Sequence, residues 1–485
     1  MASISPRLLV AGCALVLAGC ASSAGLQSEG KLRDPARLQA TQVFAGKALT
    51  PAPWPGPRWW TAFDDPQLDA LIEEALASAP SLDAAEARIR KARAQAGLAD
   101  AARKPQLGGN AQVLGMQLPE TLAGNEIGGD FKVANLLMLN FAWSPDFSGV
   151  ARSKWQAAVG AAHAAEADAN AVRLALITNV ARSYVALREA FDALDNAEAE
   201  RVRSEALVTL GRQRLSAGLD NGIALQHDIA AMAGAQQQVQ AAHQDISRLR
   251  NTLAALLGTG PDRGLEISRP RLHTPDLAIP QEIPSGLLAR RPDLVAARWR
   301  VEASQHGIDA SRAAFYPTIN LSAIVGVASG HLDDLFGNNA LLLNGGPALH
   351  LPLFEGGRLA QQLRASNADY DLAVAQYNQT LLQALAEVAD ALQAGRALET
   401  RIESTQQAHD AALRARAHLA KRLQAGLGTR LDVLKAGQAI LQLERQLHAL
   451  QAARRMARID LDHALGGGIA LPATNTPAAS AQALN

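Results

Sequence analysis

Apolar residues recur along this chain with two periods. Over long stretches they fall three and four residues apart, the spacing of a helix with one buried face. Tyr370, Val374, Tyr377, Leu381, Leu385, Val388 and Leu392 form one such seam, with the steps of a coiled coil. It predicts a helix from about Arg358 to Gln424, and a second is predicted from about Arg152 to Leu215. At ~1.5 Å per residue each would be roughly 100 Å long. Turns at Gly218 and Gly426 break them, as glycine does at a C-cap, and helices return over Gly222–Leu256 and Asp432–Leu465. An amphipathic helix from about Pro66 to Arg103 carries Leu68, Leu71, Ile72, Ala75 and Leu76 on one face. Its counterpart runs from about Ile283 to Phe315, and Pro105 and Pro317 end the two.

Elsewhere the period is two. Ile319, Leu321, Ala323, Val325 and Val327 alternate with Asn320, Ser322, Ile324, Gly326 and Ala328. Leu349, Leu351 and Leu353 share a face, as do Leu137, Leu139, Phe141 and Trp143. Strands are predicted at about 105–118, 132–144, 317–330 and 346–354, with Gly128-Gly129 and Gly345-Gly346 in tip loops. Alternation over roughly ten residues with small or polar inward positions fits a membrane barrel strand, though weakly per segment; a half-buried soluble hairpin gives the same pattern and, without context, is the commoner source of it.

The elements come in one order twice. Arg214-Leu215-Ser216-Ala217-Gly218-Leu219 recurs as Arg422-Leu423-Gln424-Ala425-Gly426-Leu427, and Leu257-Gly258 as Leu465-Gly466, an offset of 208 (422 less 214). Phe147-Ser148-Gly149 recurs as Phe354-Glu355-Gly356. The chain therefore divides into a first repeat, 59–258, and a second, 282–468, with a proline-bearing linker at 259–281 and a tail at 469–485. Residues 20–58 are polar and proline-rich and read as an extended tether.

Composition narrows the class. Of 485 residues 48% are hydrophobic and only 4% aromatic, which suits close-packed, Ala-rich helices. Lys+Arg and Asp+Glu are both 46, so the net basic footprint of a nucleic-acid binder is absent. Both cysteines, Cys13 and Cys20, stand in the first twenty residues, so no disulfide or cysteine zinc site is available to the body. Arg7 followed by the apolar run Leu8–Leu17 has the layout of a secretory signal, 1–19. It ends in Leu17-Ala18-Gly19-Cys20, which resembles a bacterial lipobox and would leave Cys20 as the lipidated first residue; Ala21 and Ser22 then suit outer-membrane sorting. No later segment has the ~18 uninterrupted apolar residues of a membrane helix, so any crossing is made by strands.

Four strands cannot close a barrel, and an open edge in lipid leaves backbone groups unsatisfied. Membrane insertion therefore requires oligomerisation, as a dimer or a trimer.

These residues resemble the outer-membrane efflux proteins, the TolC/OprM-like group and its NodT-type branch. The resemblance rests on Trp59-Trp60, Phe63, Asp65-Pro66 and Ala289-Arg290-Arg291-Pro292-Asp293-Leu294. It continues through Ala313-Ala314-Phe315-Tyr316-Pro317, Leu353-Phe354-Glu355-Gly356-Gly357-Arg358, Gln383 to Asp390, and Ala464 to Gly468. It implies a mainly α protein with a β-barrel portion. A homotrimer would complete one 12-stranded barrel, with a long helical periplasmic tunnel and an equatorial layer. It would be a passive exit duct for drugs or other small molecules in the outer membrane, held in outer-membrane lipid. A periplasmic adaptor and an inner-membrane RND transporter would be its partners. A type I protein-secretion duct uses the same fold, and a non-transporting coiled-coil envelope lipoprotein would need no duplicated hairpins. Gly356 and Gly357, with Pro105 and Pro317, mark the strand–helix junctions.

The resemblance also places a periplasmic aperture after each Ala-Gly-Leu turn. Arg430, Asp432 and Lys435 fall there in the second repeat, and His227 and Asp228 in the first. Lys435 stands where the family usually has an acid, and Trp143-Ser144-Pro145-Asp146 departs from the family's junction pattern. Near a threefold axis such charges would form rings. No nucleophile elbow, phosphate loop or metal-ligand spacing is present, so no enzyme activity and no cofactor is expected.

Overall fold

A computed structural model describes residues 25–34, 38, 53–117, 119, 121, 129–276, 287–288 and 290–468. The signal segment, Cys20 and most of the tether lie outside the described residues. Two compact units contain these residues. One draws on Met1–Leu32, Arg88–Ala165 and Ala297–Tyr377, the other on Arg33–Ala87, Glu166–Ala296 and Asn378–Asn485.

The helices are α1 Pro66–Ser78, α2 Pro80–Ala101, α3 Val150–Ser216, α4 Gly222–Leu256, α5 Pro292–Ala313, α6 Arg358–Gln424 and α7 Arg430–Ala464. The strands are β1 Gln106–Gln117, β2 Phe131–Trp143, β3 Thr318–Ser329 and β4 Leu341–His350. The duplication is visible in the elements: α3 and α6 both have 67 residues, and α4 and α7 both have 35.

Four expectations are corrected. The single helix from Pro66 to Arg103 is two, because Pro80 forces Ala79 into an extended conformation (φ −70°, ψ 124°). The strand placed at 346–354 runs over Leu341–His350 instead, so Leu349 alone of Leu349, Leu351 and Leu353 belongs to it. Gly345 and Gly346 sit inside this strand, not in a loop. A Cβ on Gly345 would lie 2.8 Å from the Ala323 Cα, so glycine there lets β3 and β4 approach. The segment 259–281 is more than a linker. It holds a helical turn, Asp262–Leu265, and buries Ile267 and Leu272 in the core.

The four strands form one antiparallel sheet in the order β1-β2-β3-β4, so β1 and β4 are its edges. Pro347 of β4 pairs with Leu321. The Ala328 N–H donates to the Ala340 carbonyl (2.8 Å), which places the hydrogen-bonded pairs at even-numbered β4 positions. Pro347 is odd-numbered, so its missing N–H belongs to the outer edge and the β3–β4 ladder loses nothing.

In the second unit the core gathers Trp59, Trp60, Phe63, Leu68, Leu71, Ile72, Tyr184, Leu187, Leu253 and Ile459. Asp65 organises its entry. Its Oδ1 accepts from the Gln67 N–H (3.0 Å) and caps α1, while Oδ2 accepts from the Tyr184 hydroxyl (2.9 Å) and the Arg271 N–H (2.7 Å). Burial raises the Tyr184 hydroxyl pKa well above its ordinary value, keeping it a neutral donor. In the first unit Ile308, Phe315, Leu359 and Leu363 form a small core on which Leu26 packs. The nearby Glu29 and Gly30 N–H groups donate to Asp371 (3.0 and 2.6 Å), so this part of the tether is docked.

Candidate functional site

The sheet has two chemically distinct faces, fixed by register. Cross-strand partners share parity: Leu107 pairs with Phe141, Phe141 with Ala323 and Ala323 with Gly345. The odd-numbered face carries Leu107, Val113, Phe131, Val133, Leu137, Leu139, Phe141, Trp143, Leu321, Val325, Leu341, Leu343 and Leu349. Most of these are exposed; Leu107, Leu341 and Leu343 each show 70% or more of their surface. The even face carries Gln106, Asn110, Gln112, Lys132, Asn140, Asn320, Ser322, Asn344 and His350, interspersed with Leu114, Met116, Leu136, Met138, Ile324 and Leu342. One predominantly apolar face and one that holds most of the polar residues is the pattern of a wall between lipid and water. Of the polar residues on the odd face, Gln117, Asn135 and Ser329, Asn135 is buried and donates to the Ser329 carbonyl (3.3 Å).

Exposed aromatics flank this band. Phe131 and Phe336 lie at the tip end, and Phe147, Tyr316 and Phe354 at the end where strands meet helices. Amphipathic or aromatic side chains at both rims match the girdles of membrane barrels.

The junction residues act as turns. Pro105 and Pro317 each stand immediately before a strand and directly after the hydrogen-bonded turns that close α2 and α5. On the return, Gly149 precedes α3 as Gly357 precedes α6 and both have φ 85°, so the helix starts pair Gly149 with Gly357 and not with Gly356 (φ 58°), the partner in the Phe-x-Gly recurrence. Asp146 supplies the local contact that the unusual Trp143-Ser144-Pro145-Asp146 run left open. Its carboxylate accepts from the Ala151 and Arg152 N–H groups (3.1 and 2.6 Å) and caps α3.

The candidate aperture residues occupy two helix–turn–helix tips in the other unit. Both tips are built alike. Gly218 and Gly426 take φ of 70° and 72°, and Leu219 and Leu427 donate back to the carbonyls of Arg214 and Arg422 (2.9 and 2.8 Å). Asn221 then caps α4 and Thr429 caps α7. Asp432 closes a capping box: its Oδ2 accepts from the Thr429 N–H (3.1 Å) and hydroxyl (2.7 Å). The Thr429 hydrogen bonds, with Arg422 and Lys435 nearby, hold the Asp432 carboxyl below the usual carboxylate range.

Arg430, Asp432, Lys435 and His227 are exposed, and Asp228 is half-buried against Gly211. Asp220, which the sequence reading passed over, joins the group. It accepts from the Asn221 N–H (2.9 Å) and from Arg214 (3.1 Å), and these bonds, with Lys435 beside it, hold its carboxyl low. Lys435 therefore acts on a carboxylate of each tip, Asp432 and Asp220. The signal for Asp220 was the recurrence of Arg214 as Arg422, whose Nη2 also turns back to a tip carbonyl, that of Leu427 (3.1 Å).

The Arg-Arg-Pro-Asp run is a buried clasp. Arg291, 5% exposed, donates to Asp293, to Glu387 (2.7 Å) and to the Ala464 carbonyl (3.1 Å). Arg290 instead lies over the Trp54 ring at 4.9 Å. Among the described residues no helix is long and apolar enough to cross a membrane, and no His, Cys, Asp and Glu group could hold a metal ion.

Comparison with known proteins adds independent findings. The family described as outer membrane efflux protein matches twice, over residues 71–259 and 283–467. The chain is 33% identical over 482 residues to the multidrug resistance outer membrane protein MdtP of Escherichia coli (strain K12), covering 95% of this chain and 94% of that protein. It is 37% identical over 371 residues to the fusaric acid resistance protein FusA of Burkholderia cepacia, covering 74% of this chain and 69% of FusA. The crystal structure of the outer membrane protein VceC of Vibrio cholerae superposes with a TM-score of 0.78 at 37% identity, covering 86% of this chain and all (100%) of VceC.

Proposed function

Since this chain belongs to the outer membrane efflux protein family, we propose that it is the exit duct of a tripartite efflux pump, passing small molecules outward without chemistry of its own. The observation that carries the proposal is the sheet: one face predominantly apolar, the other holding most of the polar residues, and both edges without a strand partner among the described residues. A four-stranded sheet with that chemistry is complete only as part of a larger ring. Three copies make the 12-stranded barrel, β4 of one protomer joining β1 of the next.

The names of MdtP and FusA support small-molecule cargo. A periplasmic adaptor and an inner-membrane RND transporter are the proposed partners, the adaptor engaging the helical tips. The apertures are proposed at Arg430, Asp432, Lys435, His227 and Asp228, with Asp220 added. The two repeats, 59–258 and 282–468, are proposed as the domains, with Cys20 acylated after removal of 1–19. Conversion of Cys20 to Ser should remove the acyl mass in intact-protein mass spectrometry, and an unchanged mass defeats that assignment.

Planar bilayers test the duct. Purified protein should give discrete, mostly closed conductance that rises in Asp432→Ala. Absence of conductance in both proteins defeats the reading.

A further inference from the structure

The sheet is basic at the end where its strands meet helices and acidic at its tips. Between Lys104 and Arg152 the sequence holds one basic residue, Lys132, and between Arg312 and Arg358 it holds none. The tips carry Asp130, Asp333 and Asp334, all exposed. Cations therefore bracket each hairpin: Lys104, Arg152 and Lys154 the first, Arg312 and Arg358 the second. All five are exposed.

Contacts bring each bracket together. In the first repeat the Arg103 guanidinium lies over the Trp155 ring at 4.8 Å, so the end of α2, with Lys104, meets the first two turns of α3, with Arg152 and Lys154. In the second, Phe315 and Leu359 share a core, which brings the last turn of α5, with Arg312, to the start of α6, with Arg358. This collar continues the odd-numbered face. Trp143, the last residue of β2 on that face, donates its Nε1 to the Arg103 carbonyl (3.3 Å), and Phe147, Tyr316 and Phe354 are exposed at the same end.

Helix stability does not account for these cations. Arg358 is the first residue of α6 and Arg152 the third of α3, where positive charge opposes the helix dipole, and neither first turn holds an acid. Pairing does not account for them either. Lys104 binds Asp100 (2.6 Å) and Arg358 binds Glu355, but Arg152, Lys154 and Arg312 have no carboxylate partner among the described residues. Exposed cations beside an apolar face with an aromatic rim are placed to meet phosphates at a membrane surface.

We propose that Lys104, Arg152, Lys154, Arg312 and Arg358 form a binding collar for anionic phospholipid headgroups, in the leaflet that adjoins the helices. This rests on the sheet being a membrane wall, as in the duct reading above. The phosphate sits among basic side chains of adjacent helices while the acyl chains lie along the odd-numbered face. A zwitterionic headgroup carries its own cation and gains less from the collar, so the collar selects lipid by net charge.

The test is native mass spectrometry of the purified, detergent-solubilised oligomer titrated with phosphatidylglycerol or phosphatidylcholine. Each basic residue near a headgroup carries a factor of roughly five, so wild type should hold phosphatidylglycerol more tightly by about tenfold or more. Arg152→Gln, Lys154→Gln and Arg312→Gln combined should bring the two lipids near parity, while Lys132→Gln at the tip should change nothing. Salt at about 1 M, where charges are screened beyond ~3 Å, should erase the wild-type preference. Parity in wild type, or a triple variant with the wild-type preference, overturns the proposal. Displacement of the lipid by inorganic phosphate also overturns it, showing a site for free anions. If the triple variant does not assemble, Lys154→Gln decides: about a fivefold loss supports the collar and no loss overturns it. A lipid preference without conductance from wild type and Asp432→Ala marks the failure of the duct reading alone.

Discussion

The guanidinium of Arg291 grips the carboxylate of Asp293, two residues on, through hydrogen bonds of 3.0 and 2.6 Å. The residue between them, Pro292, is the first of α5, so the clasp fixes the entry to that helix. The same guanidinium ties in Glu387 from α6 and the last carbonyl of α7. Removing it strands two carboxylates, each more than a third exposed or close to it. Arg291→Ala should therefore destabilise by about 1.5–3 kcal/mol, the range for a hydrogen bond to a charged group, since the stranded carboxylates keep contact with water. The check is the thermal unfolding midpoint of the purified protein; an unchanged midpoint contradicts the clasp.

Neighbouring residues of β1 should respond in opposite ways to the same change. Val113 is on the apolar face and Gln112 on the polar one. Val113→Arg should weaken membrane assembly by about 2–4 kcal/mol if it sits near the bilayer midplane, while Gln112→Arg should leave it unchanged. The heat-resistant oligomer in outer-membrane fractions reads both. Equal losses would show that the faces were wrongly assigned.

His463 gives a pH signature. Burial and then the neighbouring Arg291 depress its pKa below the ordinary 6.5, so the folded protein favours the neutral ring. The unfolded chain binds this proton at higher pH than the folded one. The associated stability is complete above 6.5 and is lost as pH falls through the depressed folded value. His463→Gln should flatten that part of the stability curve, and an unaltered slope refutes the assignment. Asp432 acts lower: its depressed carboxyl supports the α7 cap above the ordinary 3.8, and that support is lost on further acidification.

Adjacent glycines in β4 offer a packing test. Gly345 lies against Ala323, whereas a Cβ on Gly346 would meet nothing within 4 Å. Gly345→Val should lower assembled oligomer by about 1–3 kcal/mol of overpacking, and Gly346→Val by far less. Similar behaviour would mean that the β3–β4 approach is not tight.

The long helices were legible because periodicity survives in one dimension. Val374, Leu381, Val388 and Leu392 read as a seam and are buried at 2% or less. The duplication was legible for the same reason, as a fixed offset between Arg214 and Arg422. What failed was local punctuation. Gly345-Gly346 has turn chemistry, and only the neighbour at Ala323 reveals why glycine stands in a strand. Pro80 was masked by the apolar pattern on either side of it. At the tips, Asp432 was visible as a charge, but its bond to Thr429 depends on the cap geometry.

Pro347 bears on how a newly exported chain avoids trouble. Along the outer margin of β4 the available donors are Leu341, Leu343, Gly345 and Leu349, with a gap at 347. Two copies meeting β4 to β4 would bring two such gaps into one ladder. Meeting β1, whose twelve residues contain no proline, brings one. The imino acid thus favours head-to-tail growth, which can close on itself, over face-matched pairs that cannot. A single ring nitrogen biases the choice between a finished cylinder and a dead-end aggregate while the protein is still in transit.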